Sequence, residues 1–233
     1  MKITILGDPH GKISILGKTD LILCTGDLGD ATLLRNYFFK YTLEGEDWTG
    51  IMPKKEIRKA YSQTINSAIR VIQKLGKTKT PVFLVLGNAD FSEEETTGVN
   101  RTFNFKFKSM LKEIKKYKNI VLVNKKVIRF KGLKIAGLDF FREEAEAKKF
   151  LSRTKHLDIL LTHNPPYKML DKAKNKYLKA PTHVGSKALS SYIKSKKPRY
   201  LICGHIHESK GTSKLKKTIV INAGTRTKKV ISL

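Results

Sequence analysis

Tyr200-Leu201-Ile202-Cys203-Gly204-His205-Ile206-His207 joins a short apolar run to a glycine and two spaced histidines. Continuous apolar character over so short a run marks a strand buried on both faces, as in parallel sheets covered by helices. In such sheets ligands bind beyond the carboxyl ends of the strands, which is where Gly204 to His207 would stand. Other segments repeat the arrangement. Asp8-Pro9-His10 follows the run Lys2–Leu6, Gly26-Asp27 follows Leu21–Cys24, Gly87-Asn88 follows residues 82–86, and Thr162-His163 follows residues 157–161. Runs at 134–138 and Thr218–Asn222 complete the predicted core strands.

Residues 54–75 set Ile57, Tyr61, Ile65, Ala68, Ile69 and Ile72 at three- and four-residue spacing, and residues 107–117 do so with Met110, Leu111 and Ile114. Both patterns predict amphipathic helices. Residues 186–195, between Gly185 and Pro198, predict another. Strands alternating with helices imply an α/β architecture. The runs 120–123, Lys126–Phe130 and Leu133–Leu138, broken at Asn124-Lys125 and Lys131-Gly132, predict antiparallel hairpins, so the sheet should be mixed. Residues 41–53, holding Trp48, and 92–100 are predicted surface loops near the strand ends, and Asn222-Ala223-Gly224-Thr225 a tight turn at their rim. At 233 residues, with no repeat, low-complexity tract or linker, a single domain over 1–233 is expected.

The chain carries 47 basic against 20 acidic residues, a formal charge of +27, which raises the potential of any cleft for anions such as phosphate. Nucleic acid or a nucleotide is therefore a candidate partner. Yet 38 of the cations are Lys and only 9 are Arg, whereas specific phosphate or base readout favours the arginine fork. Cys24 and Cys203 each close an apolar run, the position of small, reduced core residues rather than a thiolate site. No secretory leader and no run near the roughly 20 apolar residues of a spanning helix is visible. A soluble, cytoplasmic protein without membrane attachment is expected.

Of the six histidines, His10, His163, His205 and His207 fall just after predicted strands, whereas His156 does not and is read as a surface residue. Two divalent cations need about seven protein ligands, more than one contiguous stretch supplies, and separated strand ends can supply them. Imidazole and carboxylate suit Mn, Fe, Co, Ni or Zn. The residues thus point to a two-metal hydrolase of phosphate esters.

Asp8-Pro9-His10, Gly26-Asp27, Gly87-Asn88-Ala89-Asp90, His163 and Gly204-His205-Ile206-His207 together resemble the calcineurin-like metallophosphoesterase superfamily, with all five blocks in family order from 8 to 207. His183-Val184-Gly185-Ser186 adds a likeness to its small prokaryotic phosphoesterases. The resemblance implies a four-layer α/β/β/α sandwich of two mixed sheets flanked by helices. It implies one metal held by Asp8, His10, Asp27 and His207, and a second held by Asp27, Asn88, His163 and His205. Asp27 would bridge ions roughly 3.5–4 Å apart, and a water between them would ionise near neutral pH and attack phosphorus in line.

One departure bears on mechanism. Where the family pattern commonly carries a His after Gly-Asn, to protonate the leaving group, this chain has Ala89, which cannot. Activated monoesters or phosphodiesters become the expected substrates, with Asp27, Asn88 and His183 as catalytic candidates. His183 is read either as a replacement acid or as a loop residue that buttresses the site. Asp90 is read as an acceptor that orients His10 or its metal. Two other readings keep the fold without the catalysis. Phe103-Asn104-Phe105-Lys106-Phe107-Lys108, followed by Lys112, Lys115, Lys116 and Lys118, alternates aromatic and basic residues as a nucleic-acid module would. A protein scaffold is the other, against which the full ligand set argues.

Overall fold

The computed structural model describes residues 1–14, 16–174 and 180–233. The strands are β1 (Lys2–Leu6), β2 (Leu21–Cys24), β3 (Val82–Leu84), β4 (Ile120–Leu122), β5 (Lys126–Phe130), β6 (Leu133–Leu138), β7 (Ile159–Thr162), β8 (Lys172–Ala173), β9 (Thr182–His183), β10 (Tyr200–Cys203), β11 (Gly211–Leu215), β12 (Thr218–Asn222) and β13 (Lys228–Ser232). The helices are α1 (Thr32–Lys40), α2 (Trp48–Ile51), α3 (Lys54–Lys77), α4 (Glu93–Phe103), α5 (Met110–Ile114), α6 (Glu144–Ser152) and α7 (Lys187–Lys196). One sheet has the order β13-β1-β2-β3-β4, the other β11-β12-β10-β7-β6-β5. Both are mixed: β13 runs against β1 at one edge of the first sheet, whose other edge strand β4 is parallel, and β11 against β12 and β5 against β6 make both edges of the second antiparallel.

Three apolar layers account for the sandwich. Ile3, Ile5, Leu21, Leu23, Ile159, Leu161 and Ile202 meet between the sheets. Leu6, Ile22, Cys24 and Leu84 pack instead against Ile65, Ile72 and Leu75 of α3 and Met110 of α5. Leu160, Leu201 and Val220 pack against Leu151 of α6 and Leu189 and Ile193 of α7. Alternate residues of each central strand therefore serve different cores, which is why their sequences are apolar throughout. The expected four-layer α/β/β/α arrangement is the one observed. Cys24 and Cys203 are buried and free, with burial pushing both thiols up, as inert core residues should be.

Some local expectations fail for identifiable reasons. Of the three runs from 120 to 138, β5 and β6 form a hairpin, whereas β4 pairs parallel with β3 and the chain passes to the second sheet at Asn124-Lys125. Ile120 belongs to the helix-facing core while Val123 belongs to the inter-sheet core, so one apolar run serves two layers and its partner is set by burial. Residues 92–100 are not a loop but most of α4, opened by a Ser92–Glu95 capping box. Only Thr96 of α4 is buried, so the helix has almost no apolar face to reveal it. Residues 41–53 hold a 3-10 turn and α2, and the 107–117 helix is limited to Met110–Ile114 by its Ser109 cap.

Candidate metal centre

The candidate ligands sit on loops leaving the carboxyl ends of strands from both sheets: Asp8 and His10 after β1, Asp27 after β2, Asn88 after β3, His163 after β7, and His205 and His207 after β10. Gly87 and Gly204 let these loops close on one another. A Cβ on Gly87 would lie 2.2 Å from Asp27 Oδ1, and one on Gly204 would lie 2.1 Å from Asp8 Oδ1. His10, Asp27 and His205 take left-handed φ values of 40°, 49° and 67°. Such backbone costs on the order of 1 kcal/mol per residue, so the surrounding fold, not local preference, aims these side chains.

Donor atoms of Asp8, His10, Asp27 and His207 all lie within 4.8 Å of one another. His10 Nε2 is 3.4 Å from His207 Nε2 and 3.6 Å from Asp27 Oδ2, and His207 Nε2 is 3.1 Å from Asp8 Oδ2. Beside this cluster, His163 Nε2 is 3.0 Å from Asn88 Oδ1, 3.2 Å from His205 Nδ1 and 3.7 Å from Asp27 Oδ1. Asp27 turns one carboxylate oxygen toward each group.

Backbone carbonyls select the tautomers. A carbonyl only accepts, so His163 Nδ1 donates to Thr25 O at 2.7 Å and His10 Nδ1 donates to Gly29 O at 3.1 Å. In each neutral ring Nε2 then bears a lone pair directed at other acceptors. Acceptors that converge in this way need a proton or a cation between them, and this nitrogen and oxygen set suits divalent ions of borderline softness. Asp8 is held from behind, its Oδ1 by the Thr25 hydroxyl at 2.5 Å and its Oδ2 by the His205 backbone N–H at 2.7 Å.

Charge within the cluster follows the same logic. Burial alone would raise Asp8, but His163 and the hydrogen bonds from His207 and Thr25 outweigh it and lower its pKa. Burial would likewise lower His163, yet the Asp27 and Asp8 carboxylates raise it above its usual 6.5. His205 is pushed down to about 4 by burial and by His163.

Residues 1–209 match the calcineurin-like phosphoesterase family. The chain belongs to that family. It is similar to the uncharacterized protein MJ1162 of Methanocaldococcus jannaschii, 30% identical over 160 residues that cover 66% of this chain and 69% of that protein. One crystal structure superimposes with a TM-score of 0.66 at 17% identity, covering 96% of this chain and 90% of its own. TT1561 of Thermus thermophilus gives a TM-score of 0.53 at 14% identity, over 97% of this chain and 89% of its own. At such identities the likeness to solved structures is one of fold.

Other predicted residues of this phosphoesterase-family chain fall in different places. His183, on β9, is tied through Nδ1 to the buried Asp171 carboxylate at 2.6 Å and packs on the Tyr167 ring. Among the described residues, no hydrogen bond, ion pair or ring contact joins it to the seven candidate ligands. Its β8–β9 ribbon nonetheless adjoins the turn carrying His207, where the Ser209 hydroxyl donates to Lys172 O at 2.9 Å. Among the described residues, Asp90 hydrogen-bonds to no imidazole. Its oxygens accept the backbone N–H groups of Leu28 at 2.8 Å and Gly87 at 2.9 Å, clamping together the loops that bear Asp27 and Asn88. The Asp27 loop is itself buried, so its amides rather than a ligand ring present the unmet donors. His156 is exposed, as expected.

Arg226 escaped the sequence reading. Its guanidinium donates to the His10 carbonyl at 3.2 Å and lies 3.9 Å from Asp30 Oδ2, at the rim beside the first cluster. The signal available was its place one residue beyond the Asn222–Thr225 turn. The aromatic and basic alternation is no stacking platform: Phe105 is buried and the Phe103, Phe105 and Phe107 rings pack on one another at 5.6 and 5.3 Å. Lys112 and Lys116 are paired with Glu93 and Glu113.

Proposed function

We propose that this chain is a phosphoric ester hydrolase that works as a single domain over residues 1–233 with two divalent ions of the Mn, Fe, Zn, Co or Ni type, acting on phosphodiesters or activated phosphomonoesters. The observation that carries the reading is Asp27, whose two oxygens face two adjoining acceptor groups 3.6 and 3.7 Å away. Asp8, His10 and His207 would complete one site, and Asn88, His163 and His205 the other. Bound there, divalent ions supply an activated water and neutralise charge on the phosphoryl oxygens.

The protein residues supply orientation. Thr25 O and Gly29 O keep the Nε2 atoms of His163 and His10 free of protons and aimed inward. Phe140 packs against the His163 and His205 rings, with centroids 5.9 and 5.4 Å away, and limits their rotation. Arg226, anchored on the His10 carbonyl, offers further N–H donors to a phosphate oxygen at the rim. His183, with Nδ1 fixed by Asp171, is the candidate for a replacement acid where Ala89 has none, and a flat dependence of rate on leaving-group pKa is what would call for it.

The family contains non-catalytic members, and the complete donor set favours catalysis here. No described helix is long and apolar enough to cross a membrane. Two buried free thiols support a reducing, cytoplasmic setting. Elemental analysis after metal loading, combined with a panel of mono- and diester substrates run with each ion, tests the proposal. About two ions per chain with metal-dependent turnover is expected, and trace metal with no turnover would defeat it.

A further inference from the structure

A second basic feature lies outside the metal centre. Arg58, Ser62, Asn66 and Arg70 follow one another at four-residue spacing along α3, forming a ridge on that helix. With Lys106 and Lys108 from the segment after α4, they line a groove of about 380 Å³ whose floor is Ile69 and Phe107. All four cations are exposed, and among the described residues no carboxylate lines the groove. The adjoining groove offers the contrast. Its Lys112 and Lys116 are bound at 2.8 and 2.6 Å by Glu93 and Glu113, so its charge is largely cancelled in place.

The residue types matter as much as the charge. In a chain with 38 Lys and 9 Arg, two of the arginines occupy this one groove. Arg58 is held over the Phe105 ring at 5.6 Å, which restrains the guanidinium while leaving its N–H fork available. The Asn66 amide donates to Ser62 Oγ at 2.8 Å, leaving its carbonyl and the serine hydroxyl as polar contacts between the two arginines. Arg58 and Arg70 are separated by about 18 Å of helix, at about 1.5 Å per residue. A single phosphate cannot engage both. A strand advancing about 3.4 Å per nucleotide presents roughly five phosphates over that length.

We infer that the groove between α3 and residues 106–108 binds the phosphodiester backbone of a nucleic acid, through Arg58, Arg70, Lys106 and Lys108. This site is independent of the metal centre and shares no residue with it.

The test uses the full chain and a fluorescently labelled 20-mer DNA duplex, with affinity read by anisotropy across a salt series, both with manganese and with chelator. Two variants remove equal charge: R58A/R70A/K106A/K108A in the groove, and K194A/K196A/K216A/K217A on α7 and the β11–β12 turn. The groove variant should bind at least 10-fold more weakly at 150 mM salt and lose about 3.6 from the slope of log K against log salt, since each of the four phosphate contacts contributes about 0.9. The far variant should lose less than about 3-fold, and hydrolysis of a small chromogenic diester should be unchanged in both. Equal losses in the two variants would reduce the effect to net charge and overturn the assignment. Absence of wild-type binding, or displacement of the duplex by polyglutamate at equal charge concentration, would overturn it as well. Failure of the metal-site reading would appear separately, as missing diester hydrolysis with duplex binding intact.

Discussion

The backbone N–H of Ala89 donates to Asp27 Oδ1 at 2.8 Å. The residue whose side chain lacks an acid thus contributes its amide to the carboxylate that faces both acceptor groups. Position 89 is consequently fixed next to the candidate metal centre.

With alanine at 89, an alkoxide must leave with less help than a nitrophenolate, because general acid catalysis is typically worth about 10²–10⁴-fold. Rates should fall steeply with leaving-group pKa. Ala89→His should improve alkyl esters selectively while leaving nitrophenyl esters nearly unchanged. If wild-type rates are flat with leaving-group pKa, His183→Ala should then slow alkyl esters selectively, and a uniform effect would remove His183 from that role.

Asp27→Ala deletes the acceptor common to both groups, whereas Asn88→Ala deletes one neutral oxygen from one of them. The first should abolish turnover and drop bound metal well below that of wild type. The second should retain about one tight ion. Equal metal loss in the two variants, measured by mass spectrometry of the elements, would contradict the shared position of Asp27.

Arg226 touches the rim through its guanidinium and is otherwise anchored by backbone contacts. Arg226→Ala should raise KM about 10-fold or more for phosphate esters, in line with the roughly 1.5–3 kcal/mol of a charge-assisted hydrogen bond, with bound metal unchanged. Arg226→Lys should recover only part of the affinity, since a point charge cannot fork. Unaltered KM in both variants would exclude contact with substrate.

Asp90 accepts two buried backbone donors from different loops. Asp90→Ala leaves both without a partner, at about 1–3 kcal/mol for each. Urea denaturation should show a loss of at least about 2 kcal/mol together with weaker metal binding. A stability within error of wild type would mean that the two loops are held by other contacts.

Glu113 is a buried carboxyl that Lys116 at 2.6 Å and Gln73 at 3.1 Å hold below its usual 4.5 against the opposing effect of burial. A depressed folded pKa stabilises above the unfolded value and the contribution fades as pH falls through the folded one. Glu113→Gln should therefore lower the urea midpoint at pH 6–7, and the difference should shrink below about pH 4.5, the ordinary glutamate range. A difference that stays constant from pH 7 to pH 3 would assign the effect to packing.

Reading the chain alone recovers the central strands because Leu21–Cys24 and Tyr200–Cys203 are buried on both faces and so are apolar without interruption. It misses β13, whose Lys228–Ser232 residues are mostly exposed and gain their identity only by pairing with β1. It misses α4 as well, since a helix with one buried residue writes no periodic stripe, although its Ser92 and Glu95 were a legible start signal.

That apolar strands end in small polar donors is legible without any structure, because the strand period, the glycines and the imidazole and carboxylate chemistry are all local properties. Which donors share a point depends on how distant segments pack: Asp8 and His207 meet at 3.1 Å across 199 positions of chain. So does the division of labour among carboxylates, where Asp27 faces the donors and Asp90, three residues beyond Gly87, turns back to bind amides. Arg226 and the α3 groove belong to the same category, since a cation's partners depend on which carboxylates the fold brings near it. Local chemistry names what a residue can do, and burial with long-range packing selects which of those things it does.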